Sequence, residues 1–179
     1  MRAKIFMLII PILLLSCDHG LKPPETETSP TYEEPGFGGT VYFKGTWPDS
    51  IYDLRVVAFR KYPPQDIINE VIQGRAKFSE TLPKRVDSTK YQVLADTGKW
   101  EYIVVALQYG SNIFSDWKAI GVYDTTPEDT IPTSIYIPYG KFLRNININC
   151  DFNNPPPQPF KISEIIGVLL LKQNQDFER

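Results

Sequence analysis

The sequence predicts an all-β protein, an antiparallel sandwich of two packed sheets with one short helix in an insert. Proline and other turn residues divide the chain into short segments, with 16 prolines among 179 residues. Aromatic residues make up 13% of the chain, and aromatic and β-branched side chains favour strands. Many segments alternate apolar and polar residues, which is typical of strands with one buried face. About seven such strands in one domain favour two sheets over one.

Seven segments within residues 39–153 are predicted to be strands. The last is the clearest, because apolar residues from Ile146 to Phe152 alternate with Asn and Asp, which places one face in the core and the other in water. Before the fourth strand, Thr97 and Gly98 predict a tight hairpin turn, since glycine tolerates the positive φ that such turns need. The predicted strands cover residues 39–44, 53–60, 91–96, 100–108, 117–123, 134–137 and 142–152.

A short helix is predicted in the insert between the second and third strands. Four apolar residues between Ile67 and Ile72 recur at helical spacing behind Asp66. This pattern predicts a helix over residues 65–73 that ends at Gly74. We expect its apolar stripe to cover one open end of the sandwich. A groove for a partner is the alternative.

The first 16 residues have the three-part layout of an export signal. Arg2 and Lys4 precede eleven uncharged residues, and Ser16 is a small residue directly before Cys17. The apolar segment is too short for a permanent membrane span, which needs about 20 residues. The four residues at 14–17, Leu-Leu-Ser-Cys, resemble the lipobox of bacterial lipoproteins.

The lipobox resemblance implies cleavage after Ser16, attachment of diacylglyceryl to the Cys17 sulfur and acylation of the new amino group. Several acyl chains hold a protein stably at a bilayer, whereas one chain is marginal. The resemblance thus implies a covalent lipid on Cys17 and no other cofactor, the lipid bilayer as a partner, and the bacterial cell envelope as the location. Asp18 does not decide between the inner and outer membranes. An ordinary secretory signal that ends near a cysteine is the alternative.

Residues 17–38 are predicted to form a lipidated, disordered tether. The segment is rich in proline and acidic residues, and Leu21 is its single aliphatic residue. Such a composition cannot bury enough apolar surface to offset the entropy of ordering. The predicted organisation is therefore a signal at 1–16, a tether at 17–38, a β-sandwich domain at 39–153 and a proline-led extension at 154–179.

Three segments of the predicted domain form a recognisable pattern: GTVYF at 39–43, RVVAF at 55–59, and the glycine-led GKWEY at 98–102. With these segments the domain resembles the carboxypeptidase regulatory-like modules, which have a prealbumin-type fold. The resemblance covers roughly residues 39–151 and implies an immunoglobulin-like or transthyretin-like sandwich with an accessory role. It carries no catalytic residues.

The residue inventory argues against most catalytic chemistries. The one histidine, His19, lies in the predicted tether, so a Ser-His-Asp or Cys-His set cannot be built on the domain. With Cys17 acylated, His19 and Cys150 are too few soft ligands for structural zinc. Cys150 is expected to pack on the apolar face of its strand as a small hydrophobe. The 19 Lys and Arg against 21 Asp and Glu give nucleic acid no reason to bind.

Aromatic residues form one set of candidate ligand contacts. Trp47, Trp117 and Tyr123 lie near predicted strand ends, where amphipathic rings could stack on sugars or peptide side chains. Packing in the core or at its rim is the alternative for these residues. Solvent-facing, coplanar rings would favour a glycan site, and burial of the tryptophans would count against it.

Acidic residues form a second candidate set. Asp124, Glu128 and Asp129 cluster with hydroxyl residues in one loop, and Ca²⁺ accepts such oxygens at flexible geometry. A solvated acidic turn is the alternative. A glycosidase-like pair of carboxylates also remains open, but nothing in the sequence selects a pair.

The sequence therefore predicts a non-catalytic, membrane-anchored binding or accessory module of the cell envelope, with an envelope protein or glycan as partner. A carbohydrate-binding surface lipoprotein is the alternative, and a hydrolase with two carboxylates is a third hypothesis. In the C-terminal extension, the apolar residues 165–171 are too few to span a membrane. We expect them to fold back on the domain as a strand or helix, or to dock on a partner.

Overall fold

The structure is a computed structural model that describes residues 32–126 and 128–159. The export signal, Cys17, the tether up to residue 31 and the apolar residues 165–171 lie outside the described residues, so what was predicted for them stays a prediction. The elements in chain order are β1 (Gly36–Lys44), β2 (Asp53–Phe59), α1 (Ile67–Ile72), β3 (Lys77–Phe78), β4 (Ser88–Leu94), β5 (Gly98–Trp100), β6 (Tyr102–Gln108), β7 (Trp117–Val122), β8 (Ile135–Ile137), β9 (Phe142–Leu143) and β10 (Ile148–Asp151).

The predicted all-β class is confirmed. Eight strands form one curled, mixed sheet in the order β3-β2-β6-β7-β10-β1-β4, with β9 beside β1. β5 and β8 form a separate two-stranded sheet. β1 is parallel to β10 and to β9, whereas the other pairs are antiparallel. A two-sheet sandwich of seven strands is not confirmed by this pattern of hydrogen bonds.

The larger hydrophobic core, which we call the inner cluster, lies inside the curl of the sheet. Strands from both ends of the sheet contribute to it, including fully buried Leu54 on β2, Val105 on β6, Phe37 on β1 and Val93 on β4. Trp100 on β5 is also fully buried there. Burial of each large side chain contributes about 1.5–3 kcal/mol, so this shared core holds the curled sheet closed.

A smaller apolar group, which we call the outer cluster, lies on the opposite face of β2, β6 and β7. Helix α1 lies over it: Asp66 accepts a hydrogen bond from the backbone N–H of Asn69 at 2.9 Å, and Ile67 packs on the cluster. The predicted helix is therefore confirmed, but it covers the outer face of the sheet rather than an open end. Val71 and Ile72 remain exposed. The outer cluster comprises Val57, Phe59, Ala76, Tyr102, Val104 and Ala119.

The last predicted strand, 142–152, is interrupted. It forms β9 and β10, and between them Asn145 has a φ of 65°, a left-handed conformation that ends regular pairing. The backbone N–H of Ile146 still donates to the carbonyl of Gly38 at 3.1 Å. Ile146 and Cys150 are buried, so the alternation correctly predicted the buried face although the strand is not continuous.

The hairpin predicted at Thr97 and Gly98 does not form. β4 pairs with β1 and β5 pairs with β8, so these two residues connect different sheets. Gly98 has the expected positive φ, 120°. The pairing of Trp100 with Ile135 places both side chains in the inner cluster, and this burial explains why β5 joins β8 instead of β4.

The first strand begins earlier than predicted. β1 starts at Gly36, three residues before the predicted start of the domain at Gly39, so the end of the predicted tether belongs to the sheet. A Cβ at Gly36 or Gly38 would lie 3.1–3.2 Å from the ring of Phe142. Glycine therefore allows an aromatic ring to pack directly on the strand backbone.

Candidate functional site

A surface groove of about 640 Å³ lies beside the start of β1. The backbone at Gly38 and Gly39 forms part of its wall. Glycines suit this position because they leave the backbone open to close approach. The polar side chains that line the groove include Glu33, Lys90, Gln92, Arg144 and Asn147.

Hydrogen bonds fix the irregular segment between β9 and β10 as one side of the groove. The backbone N–H of Thr40 donates to Asn147 Oδ1 at 2.9 Å. The buried Tyr91 hydroxyl donates to the carbonyl of Ile146 at 2.6 Å. Burial raises the pKa of Tyr91, so this hydroxyl stays protonated as a donor. These contacts hold the groove wall against β1 and β4.

An ion pair crosses one end of the groove. Arg144 donates to both carboxylate oxygens of Glu33, at 2.8 and 3.3 Å, and the backbone N–H of Phe142 donates to Glu33 Oε2 at 3.1 Å. The hydrogen bond from Arg144 is the largest cause that lowers the pKa of Glu33. Glu33 is therefore ionised at neutral pH and positions Arg144 rather than serving as a proton donor.

β4 is an edge strand of the sheet, and half of its backbone groups point away from β1. Ala95 N–H donates to the Pro35 carbonyl at 3.1 Å, and antiparallel pairs alternate between bonded and non-bonded positions. The backbones of Lys90, Gln92 and Leu94 therefore face the open edge. Such an edge can pair with an added extended chain.

This edge borders a second cavity. Lys90, Tyr91 and Gln92 line both the groove and a cavity of about 300 Å³, whose other wall is formed by residues 79–83. The cationic side chain of Lys90 is exposed there, and a lysine on an edge strand discourages unspecific strand pairing. The β4 edge therefore borders two concave regions and carries an exposed cationic side chain.

The three aromatic residues predicted as ligand contacts are all half-buried. Trp47 packs on Phe152, with ring centroids 4.4 Å apart. Trp117 Nε1 donates to the carbonyl of Ile113 at 2.9 Å, and Tyr123 packs against the inner cluster. Trp47 and Tyr123 thus pack at the rim of the inner cluster, whereas the contact given for Trp117 is the hydrogen bond to Ile113.

Trp100, the third tryptophan of the sequence, is completely buried. Its Nε1 donates to the carbonyl of Asp96 at 3.0 Å, and the guanidinium carbon of Arg60 lies 3.9 Å from the ring centroid. A glycan platform needs exposed rings, so the burial of Trp100 and the half-burial of Trp47 and Trp117 count against a tryptophan-based glycan site.

Carboxylates of the acidic loop accept hydrogen bonds from nearby residues of the chain. Asp124 Oδ1 accepts hydrogen bonds from the backbone of Thr126 and the hydroxyl of Thr133, both at 3.0 Å. Asp129 accepts one from the backbone N–H two residues later at 2.8 Å. Within residues 32–126 and 128–159, no three Asp, Glu, His or Cys residues are grouped so that they could hold a metal ion. Asp124, Glu128 and Asp129 are thus not assembled as a calcium site there.

Cys150 is buried in the inner cluster. Burial raises the pKa of its thiol well above the usual value, so it remains protonated at neutral pH and is a poor nucleophile. Its Sγ touches the position that a Cβ at Gly121 would occupy. Cys150 therefore packs where β7 and β10 approach most closely, as the sequence predicts for a small hydrophobe.

The groove residues were missed by sequence reasoning, because Glu33 and Arg144 are far apart in the chain and Glu33 was included in the tether. The glycines at 36, 38 and 39 were the available signal. No protein-family model, curated protein or solved structure matches this chain. No helix in the described part of the chain is long and apolar enough to cross a membrane.

Proposed function

We propose that this chain is a bacterial envelope lipoprotein whose β domain is a non-catalytic binding or accessory module. The observation that carries the proposal is the Leu-Leu-Ser-Cys segment at 14–17 behind eleven uncharged residues and two basic ones. Lipid on Cys17 anchors the domain to a bilayer, because several acyl chains together bind stably. The inner or outer membrane would serve equally well.

The non-catalytic role is supported by the chemistry of the few reactive side chains. His19, the one histidine of the sequence, comes two residues after the proposed lipid attachment site. Cys150 is buried, and its pKa is raised. Glu33 is held ionised by Arg144. A buried, protonated thiol is a poor nucleophile, and an ionised Glu33 cannot donate a proton at neutral pH.

The binding surface that we propose is the groove together with the open edge of β4. Its outward-facing backbone groups at Lys90 and Gln92 suit an extended polypeptide, because strand addition takes its affinity from main-chain hydrogen bonds. Gln92 and Asn147 add side-chain donors and acceptors along the groove. The partner that fits best is an extended, polar segment of another envelope protein.

We further infer that the curled sheet belongs to the two-sheet sandwich class, of the prealbumin-like or immunoglobulin-like type. β7 and β10 are joined by two register pairs, Asn149 with Val122 and Cys150 with Gly121. On either side of this short junction lie β3-β2-β6-β7 and β10-β1-β4, whose inner faces meet in one core. An experimental structure with few hydrogen bonds between β7 and β10 would support the class, and a long continuous ladder there would contradict it.

Incorporation of labelled fatty acid in a bacterial host tests the anchor. The wild type is expected to incorporate the label, whereas Cys17→Ala should lose it, because the thiol that accepts diacylglyceryl is absent. Cys150→Ala is the matched control and should incorporate label like the wild type, since Cys150 lies in the core. Undiminished label in Cys17→Ala would contradict the proposal.

Crosslinking in the native envelope tests the binding surface. Gln92→Pro removes an outward-facing N–H from the β4 edge without removing a bond to β1, so partner crosslinks are expected to fall severalfold. The control is Asp49→Ala, because Asp49 is an exposed residue that does not belong to β4. Equal recovery of partners from the Gln92→Pro and Asp49→Ala variants would argue against the edge.

A further inference from the structure

Two exposed tyrosines lie where the chain enters the described domain. Tyr32 is the first described residue, and its ring lies edge-on to that of Tyr139 with centroids 5.8 Å apart. The two side chains are 62% and 78% exposed. The backbone N–H of Glu33 donates to the carbonyl of Gly140 at 3.0 Å. The entering chain is therefore fixed against the turn that carries Tyr139.

The glycine in this turn leaves room for the ring of Tyr32. Gly140 has a φ of 63°, and a Cβ on it would lie 2.8 Å from the ring of Tyr32. Any other residue at this position would be strained and would collide with the ring. Gly140 thus allows the ring of Tyr32 to lie directly against the turn that carries Tyr139.

A third tyrosine precedes this pair on β8. Tyr136 is 64% exposed and pairs across the two-stranded sheet with Lys99, while Ile135 and Ile137 face the core. Three residues of chain span at most about 11 Å, so this is the upper limit for the distance between the Cα atoms of Tyr136 and Tyr139. We call Tyr32, Tyr136 and Tyr139 the tyrosine surface.

The charges around the tyrosine surface nearly balance. Lys141 is exposed beside Tyr139. Lys99, opposite Tyr136, is paired with Glu101, and Glu33 is paired with Arg144. Glu34 is exposed and supplies one negative charge that opposes anionic lipid. Attraction to this surface would therefore depend on the rings, which have an apolar body and a polar hydroxyl and so suit the boundary between lipid and water.

The chain length between the proposed anchor and Tyr32 keeps this surface near the bilayer. Fourteen residues, 18–31, separate Cys17 from Tyr32, and covalent geometry limits the distance between these two residues to about 50 Å. A connection of limited length raises the effective concentration of the attached group at the bilayer. Weak contacts at Tyr32 and its neighbours therefore suffice for frequent docking.

We propose that the tyrosine surface docks on the headgroup region of the membrane that holds the lipid anchor. The inference rests on the proposed lipid anchor at Cys17. Docking there orients the domain, because the contact point and the chain entry coincide at Tyr32. The surface opposite to this contact is then presented away from the bilayer.

Hydroxyl-radical footprinting of the native tyrosines tests the proposal. The chain from Cys17 onward, which contains every described residue, is coupled through its Cys17 thiol to a maleimide phospholipid in vesicles of phosphatidylethanolamine and phosphatidylglycerol. Oxidation of Tyr32, Tyr136 and Tyr139 is expected to fall at least threefold relative to the uncoupled chain. Tyr42 and Tyr52, which are 47% and 57% exposed, are internal controls and should change little.

The coupled sample separates this proposal from the anchor proposal, because chemical coupling supplies the anchor even if cells do not lipidate Cys17. Equal protection of all five tyrosines, or protection of Tyr42 and Tyr52 alone, would overturn the docking surface. Protection that rises with protein concentration without vesicles would assign the surface to a second copy of the chain and overturn membrane docking.

A double variant provides the second arm of the test. Tyr136→Ser with Tyr139→Ser should restore oxidation of Tyr32 in the vesicle-coupled sample to at least half of its rate in solution. The control Tyr42→Ser with Tyr52→Ser should keep Tyr32 protected. Persistent protection of Tyr32 in the first variant would mean that the tether alone shields it, and this would contradict docking.

Discussion

The inner and outer clusters lie on opposite faces of the same strands, yet they are built differently. The inner cluster collects fully buried side chains from nearly the whole sheet, such as Phe37, Leu54 and Ile148. The outer cluster covers β2, β6 and β7 alone, and an irregular insert with a six-residue helix shields it. The comparison shows that long-range strand pairing produces the first cluster, whereas a local insert produces the second.

This difference predicts where substitutions act most strongly. Strands that meet in the inner cluster come from distant parts of the chain, so a defect there affects the whole fold. The outer cluster depends on Ile67 and its neighbours, which can detach without opening the sheet. We therefore expect the effects on unfolding free energy to fall from the inner cluster to the outer cluster and to the surface.

The largest effect is expected for Trp100→Ala. The ring is fully buried and its Nε1 donates to the Asp96 carbonyl, so its removal leaves a cavity and loses this hydrogen bond. The free energy of unfolding should fall by about 3–5 kcal/mol in a urea titration. Tyr136→Ala, on the outer face of the same small sheet, should change it by less than about 0.5 kcal/mol. Similar losses for both would contradict the assigned burial.

Gly121→Ala should have the next largest effect on the free energy of unfolding, because Gly121 lies in the short junction where β7 pairs with β10. The added Cβ would meet Cys150 Sγ and lie 2.8 Å from the carbonyl oxygen of Asn149. Overpacking of this kind lowers stability by about 1–3 kcal/mol. Combining it with Cys150→Ala should recover part of that loss in a double-mutant cycle. Strict additivity of the two changes would show that they do not touch.

Ile67→Ala tests the outer cluster. Ile67 is half-buried against the sheet, so its truncation should lower the free energy of unfolding by about 1 kcal/mol. Ile72, in the same helix, is 69% exposed, and Ile72→Ala is the matched control with little effect. Hydrogen exchange should show faster opening around α1 in the first variant while β6 remains protected. Loss of protection in β6 would mean that the outer cluster is not an independent unit.

The smallest effect is a pH dependence at the start of β2. Burial would raise the pKa of Asp53, but hydrogen bonds from Arg55, the Leu54 N–H and Thr81 outweigh it and lower the pKa. A lowered native pKa stabilises the fold above the unfolded pKa of about 4, and this contribution is lost as the pH falls. The stability difference between wild type and Asp53→Asn should therefore be largest near pH 7 and shrink below pH 4. A difference that stays constant down to pH 3 would contradict the assignment.

Local patterns in the sequence predicted the strands and α1 well. Alternation of apolar and polar residues shows which face of a strand is buried, and a capping residue marks the start of a helix. Asp66 and the apolar residues behind it predicted the helix, and the alternation around Cys150 predicted the buried face of β10. Pairing was harder. Nothing near Thr97 shows that β5 pairs with β8, since that choice depends on burying Trp100 against a strand 35 residues further along the chain.

The candidate site was less predictable than the fold. The ion pair between Glu33 and Arg144 joins residues 111 positions apart, and no local pattern relates them. The glycines at the start of β1 were visible in the sequence. The sequence does not show that they leave room for the ring of Phe142. Aromatic composition suggested ligand contacts at Trp47 and Trp117, whereas both side chains are half-buried, and Trp47 packs at the rim of the inner cluster.

The central claim is that Cys17 carries the lipid that fixes this domain to the envelope. Mass spectrometry of the protein from a bacterial membrane fraction tests it most directly. The account predicts an N-terminal peptide that begins at Cys17 and carries diacylglyceryl and an amide-linked acyl chain. A chain that still begins at Met1, or a processed chain with an unmodified Cys17 thiol, would contradict it.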